Sequence, residues 1–313
     1  MKKIYILCFC FLFVFELYGQ SRKYISQFSH LQSYFNPGLT GYEGSNFRGF
    51  VRNQWAGFEG APKTYFASLE IDVADFSKNS DPDKNALGIN ILHDQFGPFV
   101  ESELVASYAS RIQVSEKTFL RLGIGVNLNS IRLDGTNLST EQALDPLVGQ
   151  YINGFADMRV LDFNIGMAIT NANWYISYAV HNVNQGSISS GDIFMDRRPR
   201  VGVLQAGYRS ALSENLAVAT NFMYRSQRDL PENIEFNFKV LMMDKIWLGA
   251  GHRIDYANNF QLGIIFPVMR IGYVYELPMV KSFLLPNTTH EFLAVIPLFR
   301  KNTRENKHEV LIW

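Results

Sequence analysis

The stretch Phe119-Leu-Arg-Leu-Gly-Ile-Gly-Val-Asn-Leu-Asn-Ser-Ile131 decides how this chain is read. Leu120, Leu122, Ile124, Val126 and Leu128 fall on every second position, with Arg121, Gly123, Gly125, Asn127 and Asn129 between them. A period of two marks a strand with one apolar and one polar face. A tilted strand of about 9 to 11 residues crosses the hydrocarbon core of a bilayer, with lipid on one side and a polar lumen on the other. A long half-buried strand of a soluble sandwich or barrel would read the same way, so the choice rests on how often the pattern recurs.

It recurs along nearly the whole chain. Leu161, Phe163, Ile165, Met167 and Ile169 alternate with Asp162, Asn164, Gly166, Ala168 and Thr170, and Ile234, Phe236, Phe238 and Val240 alternate with Glu235, Asn237 and Lys239. The periodicity predicts about 14 strands, at 46–56, 63–73, 85–95, 100–113, 118–132, 159–170, 173–182, 200–211, 215–226, 233–243, 245–256, 259–267, 269–277 and 289–299. Strands of a soluble sandwich usually run about five or six residues. Strands this long and this apolar need their edges closed, so the fold class is an all-β transmembrane antiparallel β-barrel. A barrel this wide is not filled by its own inward side chains. Either something occupies the lumen or the lumen conducts.

The connections alternate too. Links near Glu116, Ala172, Ser213 and Asp244 are short, whereas 133–158, 183–199, 227–232 and 278–288 are longer. Outer-membrane barrels keep short turns in the periplasm and long loops outside. That rule puts the start and end of the barrel, 46–299, at the periplasmic rim; the link 74–84 breaks it, being long on the short side. Residues 20–45 hold the breakers Asn36-Pro37-Gly38 and Gly41 and show no long period, which predicts a periplasmic or plug segment ahead of the sheet.

Met1-Lys2-Lys3, an apolar run over 4–15 and Leu17-Tyr18-Gly19 form a secretory signal peptide, 1–19, with its cut after Gly19. Both cysteines, Cys8 and Cys10, lie within it, so the mature chain is predicted to lack disulfides, thiolate metal ligands and cysteine nucleophiles. Without Lys2, Lys3 and Glu16, the 29 basic and 29 acidic side chains balance to within one charge, which gives no electrostatic argument for nucleic acid, and no nucleic-acid partner is expected.

Sequence signals for catalysis are poor. Gly123-x-Gly125 lies inside a strand with no helix after it, so small lumen-facing residues explain it better than a phosphate loop. His93-Asp94 and His290-Glu291 set a base beside an acid, but neighbours on a strand point to opposite faces. The histidines show no metal-ligand spacing, and Asp81-Pro-Asp-Lys84 lacks the glycine and closing glutamate of a calcium loop. No catalytic, cofactor or metal residues are expected.

Arg52-Asn-Gln-Trp-Ala-Gly-Phe-Glu-Gly-Ala-Pro62 carries more special residues than a turn requires. A girdle tryptophan beside a tight loop is one reading of it; a rim or lumen contact site for a partner is the other. Asp94-Gln-Phe-Gly-Pro98, Gly207-Tyr208 and Gly272-Tyr-Val-Tyr275 have the same flavour.

Taken in order, Gln27-Phe-Ser29, Phe35-Asn-Pro37, Gly41, Arg52, Gln54-Trp55, Gly57, Gly60-Ala-Pro62, Asp94, Gly97-Pro98, Gly207-Tyr208, Trp247, Gly249, Arg253, Gly272-Tyr273, Tyr275 and His290-Glu291 resemble the PorP/SprF family. The chain departs from that pattern at Pro37-Gly-Leu-Thr-Gly41, at Glu276 where the family favours Asp, and in the tail 300–313. The resemblance implies an outer-membrane barrel of type IX secretion and gliding, with no cofactor and no catalytic residue. Its implied partners are a secreted adhesin-like surface protein bearing a C-terminal sorting domain, other secretion components and outer-membrane lipid. The expected partner-binding residues are Arg52, Gln54, Trp55, Asp94, His290 and Glu291, with the loops 133–158 and 183–199 completing the surface. A channel for hydrophobic solutes and an exported soluble β-protein are the rival readings.

Overall fold

Alternating strands with apolar residues on one side have to close on themselves, and they do so here. The computed structural model describes residues 24–76, 84–135, 154–193, 198–228, 230–279, 288–299 and 312. The strands are β1 (Asn46–Asn53), β2 (Lys63–Asp72), β3 (Asn85–Phe96), β4 (Phe99–Ser115), β5 (Thr118–Asp134), β6 (Phe155–Thr170), β7 (Trp174–His181) and β8 (Ile188–Gly191). They continue as β9 (Val201–Ser213), β10 (Leu216–Gln227), β11 (Leu230–Met242), β12 (Ile246–Arg253), β13 (Ala257–Ile265), β14 (Arg270–Pro278) and β15 (Thr289–Pro297). Each pairs antiparallel with its neighbour, β1 with β15 and β5 with β6, so the 14 long strands form a closed ring. The four-residue β8 was not foreseen; it pairs with β6 over Leu161 to Met158, beyond the point where β7 ends.

Closure inverts the usual burial. Leu122, Ile124, Val126 and Leu128 are 37–58% exposed, whereas Arg121, Asn127 and Asn129 are at most 4% exposed. A water-soluble protein would show the opposite distribution. The outer face is built for acyl chains, and the protein is a transmembrane β-barrel. Among the described residues no helix is long and apolar enough to cross a membrane.

Two expectations about connections shift. The long link expected at 227–232 is strand on both sides, with β10 reaching Gln227 and β11 starting at Leu230. Pro231 supplies no ladder N–H, and a register shift between Arg225 and Gln227 takes up the irregularity. The sixth predicted strand starts at Phe155 rather than 159, because the β5–β6 ladder continues above the apolar band through Asp134 and Phe155.

Residues 24–45 lie inside the ring. They form 3-10 turns at Phe28–His30 and Pro37–Leu39 and one short helix, α1 (Gln32–Phe35). The Asn36 side chain accepts from the Gly38 N–H while Pro37 opens the turn, an N-cap with proline at the first position. Ile25, Phe28, Leu31 and Phe35 pack on Phe50, Phe66, Leu92, Val201, Val203, Met223, Leu293 and Val295 of the wall. The protein therefore has a hydrophobic core inside its barrel as well as an apolar outer belt.

Candidate functional site

The inward face of each strand repeats at every second residue, and register sets those residues into lateral rows. Arg52 of β1 pairs with Glu291 of β15 and with Thr64 of β2, and Thr64 pairs with Asp94 of β3. Four residues far apart in sequence thus form one row near one mouth of the barrel. Glu276 of β14, Arg253 of β12 and Glu235 of β11 continue the polar belt around the wall.

Two arginines and three glutamates interlock there. Arg52 Nη2 lies 3.0 Å from Glu276 Oε1, and its Nη1 binds Glu291. Arg253 binds Glu235 through Nε at 2.9 Å and Glu276 through Nη1 at 3.2 Å. The plug segment completes the cluster. The Ser26 and Gln27 N–H groups donate to the two oxygens of Glu291 at 2.8 and 3.1 Å, and Arg253 Nη2 donates to Ser26 Oγ at 3.0 Å. The Arg253 guanidinium also sits over the Tyr24 ring, 4.5 Å from its centroid. Buried ion pairs contribute little net stability but fix which groups meet, because any other arrangement leaves a charge unpaired. Here they fix the position of the plug.

Further points tie it down along its length. Lys239 Nζ donates to Ser29 Oγ at 2.8 Å, and Tyr34 Oη donates to Glu103 at 3.0 Å. Glu70 takes Ser33 Oγ at 2.9 Å and the Gly41 N–H at 2.7 Å while pairing with Arg48. Asn36 Nδ2 donates to the Met167 carbonyl, Arg121 to the Thr40 carbonyl, and Tyr42 Oη to the Asn171 carbonyl.

The six residues singled out in the sequence divide by face. Arg52 and Glu291, 1% and 0% exposed, turn inward; they bind each other, and Glu291 grips the chain's own segment. Gln54 is buried, and its N–H closes the β1–β2 connection on the Pro62 carbonyl. Trp55 is half-buried on the rim with φ 52°, its N–H on Thr289 Oγ1. Asp94 accepts from Thr64 Oγ1 at 2.6 Å. His290 belongs to the outward face, where its Nδ1 meets Tyr273 Oη at 2.7 Å and its ring stacks on Tyr273. His290 and Glu291 stand on opposite faces, as strand geometry requires.

Sequence reasoning did not select Glu276, Glu235, Glu70 or Lys239 as site residues. Glu235 and Lys239 sit on the polar phase of a clean alternation, so their inward direction was readable, but their partners lie up to 210 residues away. Part of the expected contact surface, 136–153 and 194–197, lies outside the described residues.

No curated protein sequence matches the chain. Among solved structures it is similar to the Ralstonia pickettii toluene transporter TbuX, at 13% identity and TM-score 0.46, over 83% of this chain and 90% of that one. It is similar also to the Pseudomonas putida toluene transporter TodX, at 11% identity and TM-score 0.45, over 88% and 94%. The family model for the type IX secretion system membrane protein PorP/SprF matches residues 17–296. With its closed barrel and its ordered set of motif residues, the chain belongs to the PorP/SprF family of type IX secretion system membrane proteins.

Proposed function

We propose that this outer-membrane component of type IX secretion receives a secreted cell-surface protein at its outer mouth, through that protein's C-terminal sorting domain, and so assists its export or anchoring. The observation that supports this reading is the filled lumen. Residues 24–45 occupy the space that a conduit for hydrophobic solutes would need, and a buried ion cluster holds them there. What remains for a partner is the rim. The β1–β2 connection, 54–62, presents Trp55 and the 53% exposed Phe58, and the β7–β9 connection presents Ile188 and Ile193 at 50% and 60%. Exposed aromatic and aliphatic side chains beside polar groups suit a protein surface.

The test is surface display of a reporter that carries the sorting domain, in cells making Trp55→Ala, Phe58→Ala or both. Display should fall several-fold while the amount of folded barrel stays constant. Unchanged display in the double variant rejects the rim as the docking surface.

A further inference from the structure

We propose that the outward face of β3–β6 and β8 binds the phosphorylated sugar headgroup of an outer-leaflet glycolipid, with Arg132 and Arg159 on its phosphate.

Register sets the outward residues into rows, as it does the inward ones. Ile91, Leu104, Leu128, Leu161 and Ile188 stand side by side across five strands and form the last row of the apolar belt. One row nearer the long connections stand His93, Ser102, Ser130, Arg159 and Ser190. The row beyond runs Lys63, Gln95, Val100, Arg132 and Asp157. The first of these rows is wholly apolar and the second wholly polar, so the surface changes character over about 7 Å along the strands.

The depth of that step is set by β5, which rises from the short-turn rim at 116–117 to the long connection 135–154. Its outward residues are apolar from Leu120 to Leu128, nine residues in all. About that many residues of a tilted strand cross the hydrocarbon core. Ser130 and Arg132 therefore stand at headgroup level, at the end where long loops mark the outer leaflet.

Positive charge on the outer wall is confined to this level. Among the described strand residues, Lys63, Arg132 and Arg159 are the only lysine or arginine side chains in the outward phase. Arg132 and Arg159 are diagonal neighbours on β5 and β6, about 7–8 Å apart. Asp157 lies directly opposite Arg132, yet the Arg132 guanidinium turns onto the Phe155 ring, 4.3 Å from its centroid. Among the described residues neither arginine is held in an ion pair.

Two such guanidinium groups suit one phosphate, which each can grip through paired N–H groups. The hydroxyls of Ser102, Ser130 and Ser190 and the His93 ring, whose Nδ1 meets Ser102 Oγ at 2.9 Å, lie beside them and suit the hydroxyls of a sugar. Five strands are about 19 Å across, a wall for several acyl chains side by side. A glycolipid carries phosphate, sugar and acyl chains in that vertical order. An acidic protein loop would engage the arginines and have no use for the apolar row beneath them.

Barrel purified in mild detergent is titrated with lipid A and with lipid A stripped of its phosphates, and the adducts are measured by native mass spectrometry. The wild type should bind lipid A at least ten-fold better than the stripped form. Arg132→Gln with Arg159→Gln should abolish that preference without moving the thermal midpoint in lipid-free detergent, whereas Lys117→Gln at the short-turn rim keeps it. Where the double variant yields no folded barrel, Arg159→Gln alone should reduce the preference several-fold. A wild type that binds both lipids alike, or variants that keep the preference, overturn the proposal. Phosphatidylglycerol bound as tightly as lipid A overturns the assignment to a glycolipid. Loss of a co-purifying protein from the double variant, with lipid A binding unchanged, assigns the arginines to a protein contact and overturns it as well. None of these readouts involves cargo, so the result is independent of the docking reading.

Discussion

Gly123 and Pro37 meet backbone to backbone: a Cβ added to Gly123 would stand 2.3 Å from the Pro37 carbonyl carbon. The contact explains a glycine in the middle of the most regular strand of the barrel. Gly166 faces the same turn, where a Cβ would fall 1.9 Å from Asn36 Oδ1. Gly123→Ala should push the plug off the wall and destabilise the protein by about 1–3 kcal/mol, the usual cost of overpacking. Gly49→Ala is the control, since nothing lies within 4 Å of a Cβ there. The measurement is the temperature at which the folded band is lost on semi-native gels; equal midpoints for the two variants would refute the contact.

Removing Arg52 leaves the buried Glu291 without its arginine and Glu276 with Arg253 alone. Arg52→Ala is expected to cost about 3–5 kcal/mol, the range for breaking a buried pair. Arg52→Lys should recover only part of that, because an ammonium cannot bridge two carboxylates as a guanidinium does. Thermal midpoints of the purified variants in detergent check the order wild type, Lys, Ala.

Strand number, closure and the lipid-facing phase were legible in the sequence because the bilayer forces alternation on each strand separately. Leu122, Ile124 and Val126 show which way β5 faces without reference to any other strand. The direction of Arg52 and Glu291 was readable on the same ground, but their target was not. Residues 24–45 have no period, and a segment that fits a cavity is shaped by a wall drawn from many strands. Asn36 reaches Met167 and Ser26 reaches Glu276, pairings with no local signature. Hence Arg52 and Glu291, which the sequence sets among the expected partner-binding residues, are found holding the plug in the fold.

A plugged barrel should be electrically silent. In planar bilayers the intact protein is expected to give no stepwise conductance, and a variant lacking residues 24–44 should give discrete open levels. Large steady openings by the intact protein would show that the segment does not fill the lumen.

The sequence allows two readings of the tail 300–313: a basic, polar extension after β15, or an aromatic terminus at Trp313 that guides assembly. Ile312 is fully buried against Ala217, Ala219, Leu241 and Trp247, all of them inward-facing residues near the short-turn rim. The Trp247 ring in turn lies where a Cβ on Gly263 would come within 1.9 Å of it. Ile312 therefore packs as a core residue inside the barrel mouth. Ile312→Ala should cost about 2–5 kcal/mol and Ile312→Val about 0.5–1.5, the ordinary series for a buried aliphatic side chain. Both variants should insert in normal amounts and differ only in thermal midpoint. Loss of insertion with an unchanged midpoint for the inserted fraction would instead mark the terminus as an assembly signal.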